Sequence, residues 1–145
     1  MALINPHINF NGNAEEAFNF YKSVFGGEFA VIQRFKDMPD GDKMSADDQN
    51  KIMHVSLPIN GNVLMGTDTL ESMGQKLNVG DNFSVSVNTD SEAESDQIFN
   101  ALAVGREIIM PLEKAFWGAY FGMFEDKFGI HWMVNYTYPQ PEQKL

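Results

Sequence analysis

Cysteine is absent from this 145-residue chain. That excludes a disulfide framework, thiolate catalysis and any thiolate zinc site. Basic residues are few. Ten Lys and Arg stand against 20 Asp and Glu, a formal net charge of −10, and no stripe of cations gathers them. Nucleic-acid binding needs cations to neutralise phosphates, so it is not expected, and neither is adsorption to an anionic membrane. No apolar run approaches the roughly 20 residues that span a bilayer, and no basic start leads into a signal-peptide core. The expected compartment is the cytoplasm, with the acidity serving solubility. Histidine is scarce as well: His7, His54 and His131 are all there is.

Phenylalanine and methionine are plentiful instead, at 12 and 9 residues. The length suits one compact domain with a real apolar core. Within it, one unit is written twice. "INPHINFNGN" reads as a strand and "AEEAFNFYKSVFG" as a helix, with Ala14, Ala17, Phe18, Tyr21 and Phe25 on one face. Asn13 with Glu16 forms a capping-box pattern, and Gly26–Gly27 supplies the stop. Farther on, "NFSVSVNTDS" reads as a strand and "EAESDQIFNALAVG" as a helix, capped by Ser91 with Glu94 and stopped by Gly105. Three strand-like segments follow each helix: "FAVIQRF", "KIMHVSLPI" and "NVLMGTD", then "EIIMPLEK", "AYFGMFED" and "IHWMVNY". Asn60–Gly61 marks a hairpin turn. Residues 36–50, polar and acidic, are expected to form a mobile surface loop.

The pattern predicts an α+β fold of two tandem βαβββ modules, the first over about 1–70, a linker over about 71–80 and the second over about 81–138. The tail "YPQPEQKL" is expected to fray. Strand alternation sorts the faces. Ile8 and Phe10 oppose His7 and Asn9; Met53, Val55 and Leu57 oppose His54 and Ser56. Phe83, Val85 and Val87 oppose Ser84 and Ser86; Ile130, Trp132 and Val134 oppose His131, Met133 and Asn135. With the apolar sets packed on helices, all three histidines point to the other face.

Three segments in this order and spacing, "NPHINFNGNAEEAFNFYKSVFGGE", "MHVSLPINGNVLMGTD" and "FWGAYFGMFEDKFGIHWMVNY", resemble the vicinal oxygen chelate superfamily of glyoxalases, bleomycin resistance proteins and dioxygenases, and within it the PhnB-like branch. The resemblance covers nearly the whole chain. It implies paired modules forming a cup-shaped sheet, and commonly a homodimer. Metal-using relatives take a His or Gln from each module's first strand and an acidic residue from each last strand. Carried over, His7 matches the first of these, Ser84 or Val85 the second, and Met65 and Met133 the acidic pair. A neutral, soft thioether does not suit Mg²⁺, Mn²⁺ or Zn²⁺, so the inherited metal site reads as lost. A facial set of the three histidines could in principle hold zinc, but none has the short spacing of a metal motif.

No metal or other cofactor is therefore expected, with His7 the residue that would take a divalent ion if one bound. A doubly wound, methyltransferase-like sheet is not expected either: its glycine fingerprint is missing, although proteins of this branch often carry a ubiquinone-pathway methyltransferase label. The remaining candidates line a pocket. His54 and His131 suit either acid–base work or polar orientation of a ligand. Asp68 could orient one of them or form a turn. "AFWGAYFG" concentrates Phe116, Trp117, Tyr120 and Phe121, and Trp117 beside Gly118 reads as a pocket or lid residue. The expected ligand set is His7, Asn9, His54, Ser56, Met65, Trp117, His131 and Met133, and the partner a small organic molecule. The alternative is a divalent-metal-dependent lyase, isomerase or dioxygenase.

Overall fold

The structure is a computed structural model that describes residues 1–140. Residues 141–145, most of the tail expected to fray, lie outside the described residues. The chain forms two compact units, Met1–Asn78 and a second that begins at Val79.

The first unit runs β1 (His7–Phe10), α1 (Ala14–Phe25), β2 (Val31–Arg34), a short α2 (Ala46–Asn50), β3 (Ile52–Ile59) and β4 (Asn62–Asp68). Its sheet has the order β1-β4-β3-β2, with β1 parallel to β4 and the other pairs antiparallel. The second unit runs β5 (Val85–Asn88), α3 (Glu92–Leu102), β6 (Glu107–Ala115), β7 (Ala119–Glu125) and β8 (His131–Thr137). Its sheet repeats the plan as β5-β8-β7-β6, with β5 parallel to β8. Both are mixed four-stranded sheets of βαβββ order, the α+β class read from the repeat.

Each helix buries the face its periodicity marks. From α1, Ala14, Ala17, Phe18 and Tyr21 are buried, and Phe25 is half-buried. Phe18 meets Phe10 and Tyr21 edge-on at 5.9 and 5.6 Å. Each fully buried aromatic or aliphatic side chain contributes roughly 1.5–3 kcal/mol relative to exposure. In the second unit Phe99 of α3 meets Phe124 edge-on at 5.0 Å. Both helices come close to their sheets over a glycine. A Cβ on Gly66 would overlap the Phe18 ring, and one on Gly122 would lie 2.7 Å from Phe99.

Several expectations need correction. Asn13 makes no side-chain cap to α1. Its place is taken by Asp68, which neither forms a turn nor orients a histidine. The Asp68 carboxylate is 1 % exposed. It accepts from the backbone N–H of Gly12 (3.0 Å), Ala14 (2.9 Å) and Ile52 (2.8 Å). At α3 the Ser91 hydroxyl does accept from Glu94 N–H at 3.0 Å, while the Glu94 carboxylate reaches one residue farther back, to Asp90 N–H. Residues 36–50, expected as a surface loop, also carry regular structure. They hold helical turns at Phe35–Asp37, Gly41–Lys43 and α2, tied down by Asp48, which binds Lys51 (3.1 Å) and Ser72 (2.6 Å). Phe83 is 60 % exposed and precedes β5, so it does not belong to the core set. The hairpin turn does form as read, with Asn60 and Gly61 at φ 45° and 87°.

Candidate functional site

The face of each sheet turned away from its helix carries the candidate residues. On the first unit, His7 of β1 stands opposite Met65 of β4, and Asn9 opposite Thr67. Met65 in turn faces Ser56 of β3, and Gln33 of β2 faces His54. His7, Asn9, His54, Ser56 and Met65 are therefore brought together on one surface. The alternation that turns them to this face is the same one that sends Ile8, Phe10, Val55 and Leu57 into the core, and of them Ser56 is itself buried. His7 Nε2 shares a hydrogen bond of 2.8 Å with Thr67 Oγ1, and the His7 and His54 rings lie 5.8 Å apart. Thr67 was not among the expected residues; its place two positions from Met65 on the same strand was the available signal.

Two causes hold the His7 imidazole below its ordinary pKa of 6.5: first partial burial of the ring against the sheet, then the charge that His54 would carry. Folding therefore favours neutral His7. As pH falls through 6.5 the unfolded chain takes up a proton that the folded protein resists, so this group's effect on stability is absent at neutral pH and becomes a penalty on acidification. The residue as a whole is exposed, so solvent screens the effect. Replacing His54 with glutamine removes the second cause and leaves the first. His7 is expected to titrate higher in His54→Gln, yet still below 6.5, by NMR of the imidazole protons. An unmoved His7 titration would show that the two rings do not interact.

In the second unit His131 and Met133 share one face, with His131 at the far end of β7 from Trp117. Phe121, Met123 and Glu125 of β7 face Asn135, Met133 and His131 of β8, and Ser86 of β5 also faces Met133. Trp117, 52 % exposed, sits in the β6–β7 turn and meets Phe121 edge-on at 5.6 Å. Phe116 beside it is 98 % exposed. The four aromatics of "AFWGAYFG" thus divide. Tyr120 faces α3, where its hydroxyl donates to Asp96 at 2.6 Å; that bond, with some burial, pushes its pKa up to about 12. Trp132 is core, and its indole N–H donates to Asp126 at 2.8 Å.

The strand pairing also tests the metal positions. Met133 faces Ser86, as Met65 faces His7, so the residue set against the second methionine is a serine. A hydroxyl there binds a hard divalent ion no better. One imidazole, one hydroxyl and two thioethers do not fit the metal of metal-using relatives. Among the described residues no group of three or more His, Asp or Glu side chains is placed to hold an ion. His7 and His54 share the first unit's face, whereas His131 belongs to the second unit.

Residues 2–135 match the family described as 3-demethylubiquinone-9 3-methyltransferase. A PhnB protein from Bacillus cereus is 28% identical, with a TM-score of 0.76 over 94% of this chain and 100% of its own. The chain belongs to the PhnB-like family. Protein PA1353 from Pseudomonas aeruginosa is nearer in sequence, at 40% identity and a TM-score of 0.85 over 96% of this chain and 100% of its own. A glyoxalase-related enzyme from Fulvimarina pelagi, 17% identical with a TM-score of 0.62 over 94% of this chain and 89% of its own, shares the fold alone. The methyltransferase wording is a family label: the two mixed sheets here are not the doubly wound parallel sheet of a methyltransferase-like fold. No helix among the described residues is long and apolar enough to cross a membrane.

Proposed function

We propose that this PhnB-like protein binds a small organic molecule without a resident metal, in the manner of the glyoxalase/bleomycin-resistance type. The observation that carries the reading is the register of the last strand of each module, β4 and β8, against its first. Met65 faces His7 and Met133 faces Ser86, so thioethers stand where a metal-using relative needs carboxylates. What each face offers suits ligand contact better than ion coordination. The first has a methionine ringed by imidazole, amide and hydroxyl groups. The second has Trp117 against Phe121, with Met123 paired to Met133 farther along the same strands and Asn135, Glu125 and His131 as its polar groups. Mostly apolar surface with a few placed polar groups is the usual make-up of small-molecule sites.

Metal content and retained ligand together test the proposal. Protein purified without added metal is expected to hold divalent ions well below one per chain, and native mass spectrometry is expected to show any copurified organic ligand surviving chelation. Stoichiometric metal that disappears in His7→Ala would overturn the reading in favour of a divalent-metal-dependent lyase, isomerase or dioxygenase.

A further inference from the structure

The open face of the first unit differs in charge from the rest of the molecule. The chain carries 20 Asp and Glu, yet the strand positions on that face hold none of them. Its polar positions are His7 and Asn9 on β1, Thr67 on β4, His54 and Ser56 on β3, and Gln33 on β2. The charged residues of the same strands turn the other way. Arg34 is bound to Glu15 of α1, and Asp68 caps that helix. His7 and His54 are thus the titratable groups of this face. The strand between them contributes Met65 and Thr67, and β2 beyond His54 contributes Gln33, none of them charged. At these strand positions an anion meets donors and no carboxylate. In a chain of net charge −10 that is a local exception, not the general rule.

The ring spacing adds the geometry. With centroids 5.8 Å apart the two imidazoles are near enough for the two oxygens of one acid group to reach both, and with His7 Nε2 hydrogen-bonded to Thr67 its Nδ1 is the nitrogen left for the ligand. Two neighbouring imidazoles resist charging together, because a proton on one opposes a proton on the other. A bound oxyanion offsets that opposition and turns a neutral imidazole into a charged donor. We propose that this face takes the oxyanion group of a small organic acid, with His7 and His54 as paired donors and a proton taken up on binding. The proposal names the ligand class for the small-molecule reading above and rests on it. That His7 is already held neutral by burial and by its neighbour is consistent with a proton arriving together with the ligand.

Benzoate, its neutral counterpart benzamide, and inorganic phosphate serve as probes of the full chain, by calorimetry in buffers of different ionisation heat and by NMR of the imidazoles. Benzoate is expected to shift both His7 and His54 signals and to take up about one proton, so that its affinity falls about tenfold per pH unit above the histidine range. The double variant His7→Gln/His54→Gln is expected to lose that pH dependence while keeping the native backbone amide spectrum. Benzamide binding as tightly as benzoate, with no proton uptake, would sink the anion site and leave a small-molecule protein intact. Silence of both imidazoles towards benzoate and phosphate would sink it as well. The reading underneath fails separately, on stoichiometric metal.

Discussion

Asp68→Ala is expected to lose roughly 4 kcal/mol of folding stability, the effect of unpairing several buried amides at once. One carboxylate accepts three backbone N–H groups, from Gly12, Ala14 and Ile52, and is almost wholly out of solvent. Alanine leaves those donors without an acceptor where water does not readily replace it, and it also removes the negative charge at the start of α1. Asparagine is a sharper test. It keeps one oxygen but turns an NH₂ group towards an amide N–H, so it is expected to restore less than half of the loss. Urea unfolding followed by far-ultraviolet circular dichroism measures both variants. An Asp68→Ala protein within about 1 kcal/mol of the parent would mean that the cap is not what holds these segments together.

The second large effect belongs to Asp126, on the opening turn of the last hairpin. Its Oδ1 accepts from Phe128 N–H (2.8 Å) and Ile130 N–H (3.0 Å), and its Oδ2 from the Trp132 indole (2.8 Å). The residue is fully buried. Asp126→Ala is expected to lose about 3–4 kcal/mol, through the same unpairing of buried donors. Its signature differs from that of Asp68, because an indole is involved. Trp132 emission is expected to shift to longer wavelength and its near-ultraviolet dichroism to weaken, measured in a Trp117→Phe background so that Trp132 reports alone. An Asp126→Ala protein with parental stability and an unchanged indole environment would contradict this account of the turn. A double-mutant cycle with Trp132→Phe isolates the indole contact from the two amides.

Both carboxylates show why part of this protein could be read from its sequence and part could not. The helices α1 and α3, the Asn60–Gly61 turn and the Ser91 cap follow from contacts within a few residues, and the strands show in their alternation, both of which local pattern reports directly. The alternation along β1, β3 and β8 likewise separated Trp132 from His131, and the core from the candidate face. Asp68 was opaque because its partners at α1 lie 54 and 56 positions away, and an aspartate at a strand end looks like a turn former. Asn13, with the right residue type at the right place, was the plausible local answer, yet its side chain makes no cap. The identity of Ser86 as the partner of Met133 needed strand register, and a shift of one residue moves every side chain to the opposite face. Residues 36–50 looked like loop by composition, but Asp48 anchors them through Lys51 and Ser72. The candidate residues of each unit were legible as a face. Their pairing, such as His7 with Thr67 and Trp117 with Phe121, was not.

The two helices also differ in when they can be completed. Ser91 lies next to the helix it caps, so α3 carries its start signal in the nascent chain and can flicker into existence before any sheet forms. The acceptor for α1 arrives only when β4 has been laid beside β1, which requires closing a loop of more than fifty residues. The repeat is symmetric in architecture but not in time. During synthesis the first unit has to wait for its own last strand before its helix is secured, whereas the second, emerging later, can begin from its helix.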